Sequence, residues 1–282
     1  MKLLSSFFLT CIVFSQSSTE VYLFDIEYKN SKYSLSNPKN ISKNPGYDNQ
    51  PSFSKDGKLI FFSSTRNNQT DIVRYEIVSG KKKWITKTEG GEYSPVKMNN
   101  NNFVSAVRLD PDGKQLLYRY DMRSGSSKAL SDDLKIGYYA WVNKKEILCF
   151  VLGDPSTLQL VDLIKNNSII IDRKIGRSIH RIPKTRKMSY VSKSLDQWTI
   201  NSFDTRTKSI KKIINAIPES EDLTWTPIGI MLMSNGSILF QYDPQSSNGW
   251  ISLLDFKKFR LKNISRIAMS PQGDMIALVA EN

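Results

Sequence analysis

The chain has 282 residues, 39% of them hydrophobic and 24% charged, an ordinary globular composition with length enough for one large domain. Lys and Arg number 40 against 27 Asp and Glu, a net charge of +13, yet no recognition helix, zinc-ligand spacing or RNA-binding aromatic motif accompanies it, which excludes a nucleic-acid partner. Long stretches of helical period are missing as well. Short apolar runs broken by Gly, Asn, Asp and Ser dominate, and they predict an all-β protein.

Residues 1–16 read as a signal peptide. Lys2 supplies the positive start, and Leu3 to Phe14 form an apolar stretch of twelve residues, too short to span a bilayer. Ser15-Gln16-Ser17 offers small residues for cleavage, near Gln16 or Ser17. Lipidation at Cys11 is the competing reading, although Phe8-Leu9-Thr10 before it lacks the usual small residue. No later segment is apolar enough to cross a membrane. The expectation is an exported monomer, periplasmic or extracellular and not membrane-spanning. Once Cys11 leaves with the leader, Cys149 in EILCFVLG stands alone, so no internal disulfide is expected and Cys149 reads as a buried, inert thiol.

Two apolar runs follow the leader, VYLFDIEYKN at 21–30 and YSLSNPKNIS at 33–42. Then GYDNQPSFSKDGK at 46–58 leads into LIFFSS. Asp56-Gly57 between two strand-like runs signals a hairpin, because both turn positions tolerate positive φ. DIVRYEIVSG is a third run and KKWIT a fourth. The succession then returns. EYSPVKMNNNNFVSAVRL gives two strands around an Asn-rich turn, followed by KQLLYRYDMRSG and SKALS. YYAWVNKKEILCFVLG, TLQLVDLIKN and SIIID repeat it, as do IHRIPKTRKMSYVS, WTINSFDTRT and IKKII, and LTWTPIGIMLMS, SILFQYDPQS and WISLLDF. Four strands over about 40 residues is the spacing of a propeller blade. ISRIAMSPQGDMIALVAE closes the chain with only the first two strands of a sixth unit. The runs at 21–30 and 33–42 supply the other two. A six-bladed β-propeller over residues 17–282 follows, its last blade closed by N- and C-terminal strands, which removes exposed sheet edges at the closure. Phe53, Trp141, Trp225 and Met269 occupy equivalent places in their blades and read as core packing.

QPSFSKDGKLIFFSSTRNNQTDIVRYEIVSGKKKWIT is similar to the repeat of TolB-type, WD-like β-propellers, where an Asp-Gly hairpin precedes an apolar strand and a polar loop with Arg leads into Asp-Ile. Here those positions are Asp56, Gly57, Arg66, Asp71 and Ile72. Together with GYDNQPSF, EYSPVKM, FVLGDPSTLQLVD, IGRSIHRIP and LTWTP, the chain resembles a group of exported, single-propeller TolB-like proteins of unassigned activity. The resemblance implies the fold and says little of function. TolB itself carries an extra N-terminal domain, and here only the leader and a few residues are expected before the ring. Prolyl-oligopeptidase-like families add a hydrolase domain, but no G-x-S-x-G occurs, GRSIH at 176–180 failing at the last glycine. SKDGKLIF lacks the Thr-Trp pair of a sialidase Asp box.

In a propeller the residues that begin each first strand ring one mouth of the central channel. That ring comprises Asp48, Asn49 and Gln50; Glu92 and Tyr93; Tyr138 and Tyr139; Arg177, His180 and Arg181; Glu221 and Asp222; and Arg266. Polar groups converging within apolar walls form a recognition pocket; the bland alternative is that each pairs with a neighbour and merely closes the channel. His180 is the only histidine. It is a candidate general base beside Glu92 or Asp222, or a structural residue that bonds a neighbouring blade. Zinc needs more His or Cys than the chain has, while Asp48, Glu92 and Asp222 are the carboxylates that calcium or magnesium would draw on. Arg66 and Asp71 are expected to pair. The leading expectation is therefore a non-enzymatic propeller, free of cofactor and metal, that binds a protein or peptide of the cell envelope at one face. The alternative is a channel-mouth hydrolase or lactonase using His180. A third reading takes an anionic surface polymer as partner, and it requires the lysines to gather on one side.

Overall fold

The computed structural model describes residues 18–99, 102–246 and 248–281. The leader and its cleavage position lie outside the described residues. In chain order, β1 (Thr19–Lys29) and β2 (Lys32–Asn40) come first. Blade 1 is β3 (Asp48–Phe53), β4 (Leu59–Arg66), β5 (Gln69–Glu76) and β6 (Lys82–Trp84). Blade 2 is β7 (Gly91–Lys97), β8 (Phe103–Leu109), β9 (Gln115–Asp121) and β10 (Ser127–Ala129). Blade 3 is β11 (Ile136–Trp141), β12 (Glu146–Val151), β13 (Thr157–Asp162) and β14 (Asn167–Arg173). Blade 4 is β15 (Ile175–Arg181), β16 (Lys187–Ser192), β17 (Thr199–Asp204) and β18 (Ile210–Asn215). Blade 5 is β19 (Leu223–Trp225), β20 (Met231–Asn235), β21 (Ile238–Tyr242) and β22 (Ile251–Asp255). A 3₁₀ turn over Phe256–Phe259, capped by the Asp255 carboxylate, leads to β23 (Lys262–Met269) and β24 (Met275–Glu281).

Six four-stranded antiparallel sheets result, and the sixth has the order β2-β1-β24-β23. The two ends of the chain therefore share one blade, as the sequence pattern predicts. β1 pairs with β24 over seven positions, from Thr19 opposite Glu281 to Asp25 opposite Met275. Together the blades make a six-bladed propeller.

Period-2 alternation explains the core. In β4, Ile60 and Phe62 face one way and Phe61 the other, and all three are fully buried. Ile60 and Phe62 pack with Val21, Ala277 and Val279 of the closing blade, whereas Phe61 packs with Val104, Leu116 and Tyr120 of blade 2. Every blade is sandwiched between neighbours in this way, so its second strand reads as an unbroken apolar run. Cys149 is buried in the layer between blades 2 and 3, where burial pushes its thiol up to about 12, and an inert role follows.

Antiparallel order also sorts the turns. Connections from first to second and third to fourth strand lie at one end of the ring, the hairpin face. Connections from second to third strand and from blade to blade lie at the other, the crossover face. At the opening hairpin only Gly57 takes positive φ, at 70°, and its N–H donates to the Ser54 carbonyl at 2.9 Å. Asp56 contributes instead through its carboxylate, which accepts from the Ser54 hydroxyl and the Lys58 N–H. The Asp-Gly signal is real, but its two residues do different work. Among the described residues no helix is long and apolar enough to cross a membrane.

Candidate functional site: the channel mouth

The first strands β3, β7, β11, β15, β19 and β23 surround a cavity of 480 Å³. Five of these six, all but β19, slip register against their second strands, between Asn49 and Ser52, Tyr93 and Val96, Ile136 and Tyr138, Ile175 and Ile179, and Lys262 and Arg266. A bulge re-aims the side chains that follow it. Gln50 and Ser94 sit at two of them with positive φ of 58° and 52°.

Of the thirteen residues expected at the mouth, Gln50, Tyr138, Tyr139, Arg177, His180, Arg181, Asp222 and Arg266 line the cavity. Asp48, Asn49, Glu92, Tyr93 and Glu221 do not. Asp48 and Glu92 precede the bulges and turn between blades, fully buried. Burial pushes Asp48 up to about 7, against the help of Ser64 and Asn44. Glu92 also rises to about 7 through burial, although Thr88 and the Tyr120 hydroxyl donate to it. Tyr93 packs edge-on to Tyr47 at 6.3 Å. The three carboxylates of the calcium or magnesium alternative therefore do not converge, and among the described residues no group of three His, Cys, Asp or Glu could hold a metal ion.

Charge at the mouth centres on Asp222. Arg177 grips it with two donors, Nη2 to Oδ2 at 2.6 Å and Nε to Oδ1 at 3.3 Å. Arg266 Nη1 approaches both carboxylate oxygens, at 3.1 and 3.2 Å. Burial works against the Arg177 charge, but Asp222 and Glu221 outweigh it and hold the guanidinium firmly protonated. Glu221 in turn accepts from the Arg177 backbone N–H at 3.0 Å and pairs with Lys193. Arg266 Nη2 also meets the Tyr138 hydroxyl at 3.3 Å.

Gln50 serves the ring itself: its Oε1 accepts from the Ser94 N–H at 2.7 Å and the Ser63 hydroxyl at 3.2 Å, linking blades 1 and 2. Arg181 reaches away from the mouth, donating to the Val142 carbonyl of blade 3 and to the Thr185 carbonyl. The Tyr139 hydroxyl donates to Ser105 of blade 2 at 2.8 Å. Trp141 Nε1 shares that acceptor at 3.0 Å, and Trp225 repeats the device on Ser189 of blade 4 at 2.8 Å. These serines rivet adjacent blades. The sequence carries their signal only as the small residue two places into each apolar second strand.

His180 Nε2 lies 3.0 Å from the Ser178 hydroxyl, with no carboxylate in reach. Ser178 makes the bond to blade 5, donating to the Leu223 carbonyl at 3.3 Å and accepting from its N–H at 3.2 Å. The expected blade-crossing contact thus belongs to Ser178, not His180. Burial lowers His180 to about 4, against the pull of Asp222. Arg66 and Asp71 pair as expected, at 3.6 Å. Phe53, Trp141 and Met269, read as core, also form apolar wall of the cavity, while Trp225 is wholly core.

No family model matches this sequence, and no curated protein matches it. Solved structures do. A TolB-type protein of Agrobacterium tumefaciens superposes with TM-score 0.72 at 13% identity, covering 94% of this chain and 98% of that one. TolB of Acinetobacter baumannii gives 0.56 at 13%, covering 94% and 64%. Oligogalacturonate lyase of Vibrio parahaemolyticus gives 0.59 at 14%, covering 89% and 83%. At such identities the likeness is one of fold: this chain shares the six-bladed propeller of these proteins.

Proposed function

We propose that the protein is an exported β-propeller without catalytic activity that binds a protein or peptide at one face of its ring. Its guest presents a carboxylate to the channel mouth. The observation that carries this reading is the Arg177–Asp222–Arg266 cluster, two guanidinium groups on one carboxylate at the wall of an open cavity. One positive charge is in excess there. Arg holds carboxylates bidentately, so a C-terminus or acidic side chain is the matching guest. Phe53, Trp141 and Met269 offer apolar wall for the rest of it.

The rival reading is a channel enzyme: a hydrolase or lactonase using His180, or a lyase in the manner of the Vibrio neighbour's name. A base without an acid partner and a carboxylate already taken by two arginines argue against it. Export rests on the leader over 1–16, and N-terminal sequencing of protein recovered from the envelope would read it.

The test is titration with short peptides carrying a free or an amidated C-terminus, on the parent chain and on Arg266→Ala. Asp222 keeps Arg177 in that variant, so the fold should hold. Binding that needs the free carboxylate and weakens at least tenfold in Arg266→Ala, with melting unchanged, is the expected result. Indifference to both changes would overturn the proposal.

A further inference from the structure

The two faces of the ring differ in charge. Connections on the hairpin face hold eleven Lys and Arg against three Asp, whereas those on the crossover face hold nine against ten acids. Blades 3 and 4 concentrate the excess. Lys144, Lys145 and Lys165 in one and Lys184, Arg186, Arg206 and Lys208 in the other are all exposed, with no acid in the same turns. Among the described residues none of the seven stands in an ion pair; the pairs that form gather mostly around the mouth and crossover face. The three acids on the hairpin face are folded back into their own turns: Asp56 accepts from Ser54 and Lys58, Asp243 from the Gln245 N–H, and Asp274 from Ser270. The nearby strand-end acids Glu76, Asp121, Glu146, Asp162 and Asp204 likewise accept hydrogen bonds from their own turns.

A second observation falls on the same face. Val78, Ile164 and Ile228 stand at turn tips, exposed by 93%, 72% and 51%. They belong to blades 1, 3 and 5, alternate positions around the ring, and so mark out a plane. The exposed leucines of the crossover face, Leu152 and Leu195, sit instead beside Asp154 and Asp196.

We propose that the hairpin face docks on an anionic membrane surface. The Lys and Arg of blades 1–4 lie against acidic headgroups, and Val78, Ile164 and Ile228 dip into the interface. Electrostatic attraction and buried apolar area are the two sources of peripheral binding. A soluble polyanion would use the charge alone and gain nothing from aliphatic tips, which is why a lipid surface is favoured over a polymer. Arg177, Asp222 and Arg266 lie toward the crossover end, whereas Phe53, Trp141 and Met269 carry the cavity wall to the hairpin end, so a docked ring covers that end of the channel and leaves the crossover end facing solvent. This site is independent of the channel reading.

Sedimentation of the full chain with vesicles of phosphatidylcholine, alone or with a share of phosphatidylglycerol, tests the proposal. Residues 1–17 are common to every variant, so differences between variants read the face. Binding is expected only with the anionic lipid. Each Lys or Arg near the surface is worth about fivefold, so Lys144→Gln/Lys145→Gln should weaken binding by about twenty-fivefold. Val78→Ser/Ile164→Ser/Ile228→Ser should keep low-salt binding and lose the part that survives high salt. Melting curves check that each variant is folded, and Lys165→Gln/Arg206→Gln replaces the first pair if it is not. Three results would overturn the proposal: no preference for anionic vesicles, glutamine variants that bind like the parent, or a serine variant that binds like the parent while soluble polyphosphate competes fully.

Discussion

His180 spends its ring nitrogen on Ser178 of its own strand, and burial keeps the ring neutral down to about pH 4. Hydrolysis with His180 as base would therefore persist well below the ordinary histidine range, failing only near its depressed pKa. With the Ser178 hydrogen given to the Leu223 carbonyl, His180 Nε2–H donates to Ser178 Oγ, and replacement by Gln preserves a side-chain N–H donor there. His180→Gln should consequently lower stability by only about 1 kcal/mol. No turnover is expected from the parent chain on ester, lactone, glycoside or peptide panels. A reproducible rate that survives to pH 5 and vanishes in His180→Gln would replace the binding module by an enzyme. Arg181 belongs to the same scale. Its ties to Val142 and Thr185 make it a brace between blades, while Arg177 and Arg266 carry the charge of the mouth.

At the scale of elements, β24 holds the ring shut. It lies between β1 and β23, and Ile276, Ala277, Leu278, Val279 and Ala280 are all buried. Ile276 and Leu278 face the layer shared with blade 5, and Ala277 and Val279 the layer shared with blade 1. Three large aliphatic side chains at about 1.5–3 kcal/mol each already approach the whole stability of a typical domain, about 5–15 kcal/mol. Deleting residues 270–282 also strips β1 and β23 of the strand between them, leaving β1 only β2, and opens sheet edges. The truncated chain should lose cooperative thermal unfolding and expose apolar surface to a dye. Unchanged cooperative melting, followed by circular dichroism, would rule out the latch.

For the whole molecule, Asp48 and Glu92 couple folding to pH. Each holds its proton up to about pH 7 in the folded state, far above the carboxylate range of an unfolded chain. The folded protein thus binds more protons than the unfolded one between those limits. Its stability falls as pH rises through that window and levels off above it. His180 acts oppositely, because its depressed pKa costs stability as pH falls below 6.5 toward 4. Between pH 6.5 and about 8 His180 is neutral in the folded chain and at most half protonated in an unfolded one, so the two carboxyls dominate. Stability at the lower end should exceed that at the upper by on the order of 1 kcal/mol, a melting rise of a few degrees. Asp48→Asn and Glu92→Gln should each flatten the slope. A parent protein that melts equally at both ends would show that these carboxyls do not titrate as described.

The amino-acid order alone determined the blades and their closure. Strand period, Asp-Gly and Pro-Gly turns and the two half-units at the ends are local signals, and one repeat unit copied along the chain leaves little choice of topology. It also singled out Arg177, Asp222 and Arg266 as mouth residues. Which other side chains reach the cavity was decided by the tertiary structure. A bulge moves everything after it to the opposite face, and no residue type announces the bulges at Asn49–Ser52 or Tyr93–Val96. For that reason Asp48 and Glu92 turned out to lie between blades, and Phe53, Trp141 and Met269 turned out to share the cavity wall. The charge asymmetry is of the same kind. Its lysines and arginines are scattered from residue 55 to residue 208 and look unrelated along the chain, yet antiparallel strands return every odd-numbered turn to one end of the ring, and only there do they add up to a surface.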